Sequence, residues 1–143
     1  MFIVMVIIGM LFNPMNIFAF RFSDLYFSLT LFYGGLLMAS NMIWAHEIVH
    51  YLHMRHFNVS RFLFGILLSS VISFFLLRQQ LLVDDTQWLR RMISHHSTAL
   101  TTSKNIYHKT QNDDIRQLSK NIIHTQEKEI HIMKELLKRE TII

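Results

Sequence analysis

Hydrophobic and polar positions are segregated along this chain rather than interleaved. Residues 1–20 carry no charged side chain, residues 25–45 carry none, and residues 62–77 form a third uncharged run between Arg61 and Arg78. An apolar run of about 20 residues is what a helix needs to cross roughly 30 Å of hydrocarbon. The first run lacks the basic start and small-residue cleavage site of a signal peptide, so it reads as a retained span, with a kink predicted at Asn13-Pro14. In the second, Gly34-Gly35 permits close approach of a neighbouring helix. The third is short and weakened by Ser69, Ser70 and Ser73, but its flanking arginines can snorkel to the interfaces. A soluble three-helix core is the alternative, yet a soluble helix carries a polar face and these runs have none. The pattern predicts three transmembrane helices (residues 2–20, 25–45 and 62–78) in a membrane domain spanning residues 1–80, with the lipid bilayer as partner.

Beyond residue 80 the period changes. Asp84 with Gln87 resembles a capping box. From there Leu89, Met92, Ile93, His96, Ala99, Leu100, Ser103 and Tyr107 recur at spacings of three and four, one face of a helix. Residues 108–112 lack the period, and Asn112-Asp113-Asp114 offers a second cap with an acidic first turn. A second stripe follows through Ile115, Leu118, Ser119, Ile122, Gln126, Glu129, Ile130, Met133 and Leu137. The expected fold is all-α: three spans, then an antiparallel helical hairpin over residues 84–143. Two such helices bury too little surface to stand alone. Pairing two hairpins into a four-helix bundle would supply the missing core, so a homo-oligomer is implied.

Composition sharpens this picture. In 143 residues, 51% are hydrophobic and 17% charged, with one proline, four glycines and no cysteine, which excludes a disordered chain and a disulfide scaffold. The net charge of +4 is mixed with acids rather than gathered in a stripe, so no nucleic-acid partner is indicated. The basic residues flanking the spans do not decide the orientation.

The two hairpin stripes carry candidate chemistry. An antiparallel arrangement sets Met92, His95 and His96 opposite Glu129, Ile130 and Met133, with Gln126 a little deeper. Polar groups in a core need partners. The plain outcome is that they pair with each other, His to Glu or Gln. The sharper outcome is a metal: imidazole suits copper, zinc and iron, and neighbouring thioethers tilt the choice towards copper, Cu(I) above all. A di-iron oxidase is disfavoured, because such sites draw on several carboxylates in Glu-x-x-His spacing and the stripe offers one Glu.

The segment from Trp88 to Leu100, containing Met92-Ile93-Ser94-His95-His96-Ser97-Thr98-Ala99, followed by Gln126-Glu127-Lys128-Glu129-Ile130-His131-Ile132-Met133, resembles the bacterial family catalogued as domain of unknown function 305. Its pattern pairs M-I-x-H-H-x-x-A with Q-x-x-E-I-x-x-M some thirty residues later. The resemblance implies a ferritin-like helical domain held outside the inner membrane of a bacterium, on the periplasmic side. It also implies an association with copper or silver handling. Taken with the residues themselves, the expected cofactor is copper, as Cu(I) or Cu(II), with zinc as the alternative. The residues that carry over as ligands are Met92, His95, His96, Gln126, Glu129 and Met133. Where the family commonly has proline this chain has Ser94, and Thr102 stands where it often has methionine. The expected role is non-catalytic copper binding for tolerance or delivery, with an unspecified donor or acceptor. A structural envelope module with the polar residues merely paired is the other reading.

A second constellation lies at the end of the second run. His46-Glu47-Ile48-Val49-His50 fits H-E-x-x-H, two imidazoles and a general base, as a zinc metallopeptidase requires. The chain has little room for a substrate cleft, so this enzymatic reading ranks below metal binding. Met38, Met42, His46 and His50 recur every four residues and form a second candidate metal site; a methionine-lined packing face with interfacial histidines accounts for the same spacing.

Overall fold

The computed structural model describes residues 1–142, with side chains through Glu140. The regular elements among them are helical: α1 (Phe2–Leu11), α2 (Pro14–Ile17), a 3-10 turn (Phe22–Asp24), α3 (Leu29–Met54), α4 (Val59–Val71), α5 (Asp85–Lys109) and α6 (Asp113–Ile142). Helix α4 widens into a π-helix over Ile72–Arg78. The chain forms two compact units: Met1–Phe12 with Leu29–Leu82, and Asn13–Ser28 with the chain from Val83 onward.

The first unit is built inside out by the standards of a soluble protein. Gly9, Gly35, Ala39, Ser40, Gly65 and Ser69 are buried. Large apolar side chains such as Ile3, Ile7, Leu63, Phe64, Leu67, Phe74 and Phe75 are exposed. The small residues let backbones meet. A Cβ on Gly35 would stand 2.7 Å from the Val6 carbonyl oxygen, and one on Gly65 would stand 2.8 Å from the Trp44 nitrogen. Ser69 Oγ donates to Ser40 Oγ at 3.0 Å between α4 and α3. Close packing through small residues with a polar bond between helices is how membrane helices associate, where lipid removes any drive to hide large apolar groups.

The sequence predicts three spans; among the described residues, one helix is both long and apolar enough to cross a membrane. It is the 20-residue stretch Val59–Arg78, which contains the third predicted run. The first run does not continue as a kinked helix. At 10 residues, α1 reaches about 15 Å, half a hydrocarbon core. It stops because Asn13 caps a new helix, accepting from the Met15 amide at 2.9 Å with Pro14 at the first helical position. The second run enters α3 only at Leu29, its first four residues lying in the other unit, and α3, a 26-residue helix, continues past residue 45 through His46, Glu47, His50 and His53.

The second unit is a hairpin of α5 and α6. Asp84 Oδ1 accepts from the Gln87 amide at 2.7 Å, as its spacing predicts. Asn112 Oδ1 accepts from the Asp114 amide at 2.9 Å and the Ile115 amide at 3.2 Å. Because α5 runs to Lys109, His108 stands in its last turn rather than in the connection. The core is Leu89, Ile93 and Leu100 against Ile130, Met133 and Leu137, with Tyr26, Met92 and Ile123 packed at its edge.

Tyr26 is foreign to the predicted hairpin, and it exposes the main correction. Residues 13–28, assigned from sequence to the membrane domain, form a strap across α5. Ser97 Oγ accepts from the Phe20 amide at 2.9 Å and donates to Asp24 Oδ2 at 2.7 Å. Ser94 Oγ accepts from the Tyr26 amide at 3.3 Å and donates to the Asp24 carbonyl at 2.8 Å. Thr98 Oγ1 donates to the Met15 carbonyl at 3.0 Å. Lys134 of α6 donates to the other Asp24 carboxylate oxygen. The strap explains why Ser94 and Ser97 are buried although neither belongs to the apolar stripe.

Candidate functional site

Four of the six predicted ligands converge. Met92 and His96 from α5, with Glu129 and Met133 from α6, line a pocket of about 350 Å³ together with Trp88, Ile132 and Leu136. Met92 and His96 are one helical turn apart, as are Glu129 and Met133, so the antiparallel crossing brings both pairs to one place. His96 Nε2 stands 2.9 Å from Glu129 Oε2. Its Nδ1 stands 2.8 Å from the Met92 carbonyl oxygen. A carbonyl only accepts, so Nδ1 carries a hydrogen; Nε2, the atom presented to the pocket, carries one as well where it donates to Glu129.

The pocket grades from dry to wet. Met133 is buried. The His96 side chain is 12% exposed and that of Glu129 44% exposed, so the polar pair stands towards the mouth. The donor set is two thioethers, one imidazole and one carboxylate in an apolar surround. That combination fits a soft or borderline cation, copper before zinc. Among the described residues, no cluster of three His, Cys, Asp or Glu could hold a metal ion, so any site here depends on the methionine sulfurs.

The other two predicted ligands do not line the pocket. His95 is exposed, its ring centroid 5.9 Å from that of His96 and tilted by 67°. A one-residue step turns a helix by about 100°, which carries His95 off the facing surface. Partial desolvation of the ring, and then the charges of His96 and Arg91, hold its imidazole below the usual histidine range. Gln126 is half-buried, a helical turn before Glu129 and off the pocket lining. Sequence reasoning missed the apolar rim of Trp88, Ile132 and Leu136, which falls between the stripe positions. It also missed the Asp24 network; the first acid of the chain, three residues after Arg21 and between two uncharged runs, was the available signal.

In the first unit, Met38 and Met42 line a groove with Gly34, Leu37, Asn41, Trp44 and Ala45, without His46 or His50. Glu47 of the H-E-x-x-H segment is 1% exposed. It accepts from Arg61 Nη1 at 2.9 Å and from the Asn58 amide at 3.2 Å. The carboxylate therefore closes the junction between α3 and α4.

Comparison with known proteins agrees with the hairpin motifs. The family described as "Domain of unknown function (DUF305)" matches residues 79–140. The chain belongs to this family. It is also 35% identical over 127 residues to "Uncharacterized protein L153" of Acanthamoeba polyphaga mimivirus, an alignment covering 87% of this chain and 81% of the relative. That likeness extends beyond the hairpin into the apolar unit. No solved structure matches. All the pocket residues, Trp88 to Leu136, lie inside the matched residues, whereas the strap lies outside them.

Proposed function

We propose that this protein is a membrane-anchored copper-binding protein that holds the ion for tolerance or delivery and catalyses nothing. The observation that carries the reading is the convergence of Met92, His96, Glu129 and Met133 from two helices on one pocket. Thioether and imidazole together favour Cu(I). The Met92 carbonyl on His96 Nδ1 is the kind of outer partner that fixes the tautomer and orientation of a ligating histidine. A cation entering here would displace the Nε2 proton to solvent and take the place of the His96–Glu129 hydrogen bond, so apo and loaded forms exchange one satisfied arrangement for another. His95 and Gln126 fall outside this ligand set.

Anchoring is supported by α4 and by the exposed apolar surface of the first unit, far more than a monomer in water tolerates. Two hairpins joined as a four-helix bundle would cover Ile106, Ile115 and Leu118, which are exposed on a single hairpin. The test is titration of the detergent-solubilised full chain with Cu(I) against a competing chelator. Loss of an outer partner alone costs a metal site about 10- to 100-fold. Met92→Ala/Met133→Ala and His96→Ala should each cost at least as much, and His95→Ala little. Native chain that binds no Cu(I), or a Met92→Ala/His96→Ala/Met133→Ala triple variant that binds as well as native, overturns the reading.

A further inference from the structure

The histidines at the end of α3 form an arrangement that neither the pocket nor the family accounts for. His46 and His50 are four residues apart on one helix face, with ring centroids 5.9 Å apart and planes within 22°. His50 Nδ1 stands 3.1 Å from the His56 carbonyl oxygen. That carbonyl lies in the turn leading to α4 and can only accept, so the hydrogen is on Nδ1 and the Nε2 lone pair is free. His46 Nδ1 stands 3.8 Å from Glu47 Oε1, too far for a hydrogen bond, so its ring is held less firmly than that of His50. Side-chain exposure of 50% leaves His46 open to solutes.

From this geometry we propose a second metal site, a two-imidazole chelate of His46 and His50 for a divalent borderline cation of the Zn(II) or Ni(II) type. An i, i+4 pair of imidazoles on a helix is the ligand half of the zinc-binding H-E-x-x-H arrangement. Outer hydrogen bonds from Nδ1 to a carbonyl or carboxylate are what such ligands ordinarily carry. Water completes the coordination, since the described residues bring no third His, Cys, Asp or Glu into a metal cluster. The site binds without hydrolysing. Glu47, the position of the general base, spends its carboxylate on Arg61 and the Asn58 amide and is shut away from solvent. Its chemistry also separates it from the hairpin pocket: nitrogen donors alone on this site, sulfur donors on the other. Met38 and Met42, which share the four-residue spacing, line a different groove and are not ligands.

The experiment is calorimetric titration of the full chain in detergent with Zn(II), carried out on the Met92→Ala/His96→Ala/Met133→Ala background so that the hairpin pocket is silent. His46→Ala and His50→Ala should each weaken binding by about 100-fold, the upper end of what losing an orienting partner costs. His53→Ala serves as the control: its Nδ1 stands 3.0 Å from the Val49 carbonyl, so it should bind as the background does. His56, whose ring lies edge-on to that of His50 with centroids 5.9 Å apart, is kept unchanged in all variants. Circular dichroism reports whether each variant keeps its helix content. Cu(II) loaded in place of Zn(II) should show two coordinated nitrogens by electron paramagnetic resonance, lost in either ligand variant. A background protein that binds no Zn(II), or an equal loss in all three histidine variants, overturns the proposal.

Discussion

Asp24 concentrates more structure than any other polar residue in the second unit. Its carboxylate receives Ser97 and Lys134, its carbonyl receives Ser94, and it is 1% exposed. Removing one partner of a buried ion pair strands the other and costs about 3–5 kcal/mol. Lys134 keeps some contact with water, its side chain 24% exposed, so the lower end applies. Asp24→Ala is expected to destabilise the second unit by about 3 kcal/mol, seen as a lower midpoint when ellipticity is followed on heating. Asp24→Asn, which retains an acceptor for Ser97, should cost less. A midpoint unchanged in Asp24→Ala would show that the strap is dispensable. The same residue shows how local polar chemistry hides from pattern reading. Ser94 and Ser97 lie off the apolar stripe, and the group that covers them lies some seventy residues earlier in the chain.

At the scale of elements, α3 and α4 meet through an absence. Gly65 sits against the Trp44 backbone nitrogen and Ile43, with no room for a Cβ. Overfilling a packed contact costs about 1–3 kcal/mol, and here the obstacle is backbone, which cannot step aside as a side chain can. Gly65→Leu should lower the thermal midpoint of the detergent-solubilised chain, while Leu67→Ala, on the exposed side of the same helix, should leave it almost unchanged. Equal effects of the two would mean that α4 does not dock through its small residues. The helix caps behaved differently from the packing. Asp84 and Asn112 act where their spacing put them, since capping is settled within three residues of sequence. The Asn13-Pro14 pair was also locally readable. Its outcome, a full break and a new helix instead of a kink, depended on residues 13–28 having a better place to pack than against lipid.

For the whole molecule, the decisive quantity is where its apolar surface goes. Phe64, Leu67, Phe74 and Phe75 are more than half exposed, on a helix of mean hydropathy 2.0. At about 25 cal/mol for each Å² of apolar surface removed from water, such a face strongly favours hydrocarbon. The chain produced with liposomes should float with them on a density gradient and stay with them after alkaline carbonate washing. Recovery in the soluble fraction would dismiss the anchor and with it the membrane reading of the first unit.

The sequence by itself determined the all-helical class, the split between an uncharged and a charged region, the hairpin with its two caps, and the facing positions of Met92, His96, Glu129 and Met133. Each of these follows from periodicity or capping, properties carried by residues within a few turns of one another. Tertiary structure alone decided that residues 13–28, the end of the first apolar run and the start of the second included, strap the hairpin, that His95 and Gln126 stand off the pocket, and that Glu47 is taken by Arg61. Those outcomes depend on which distant surfaces meet. Helix period specifies a face to within roughly one residue, about 100° of rotation, and only the packing partner selects which side of that uncertainty is buried.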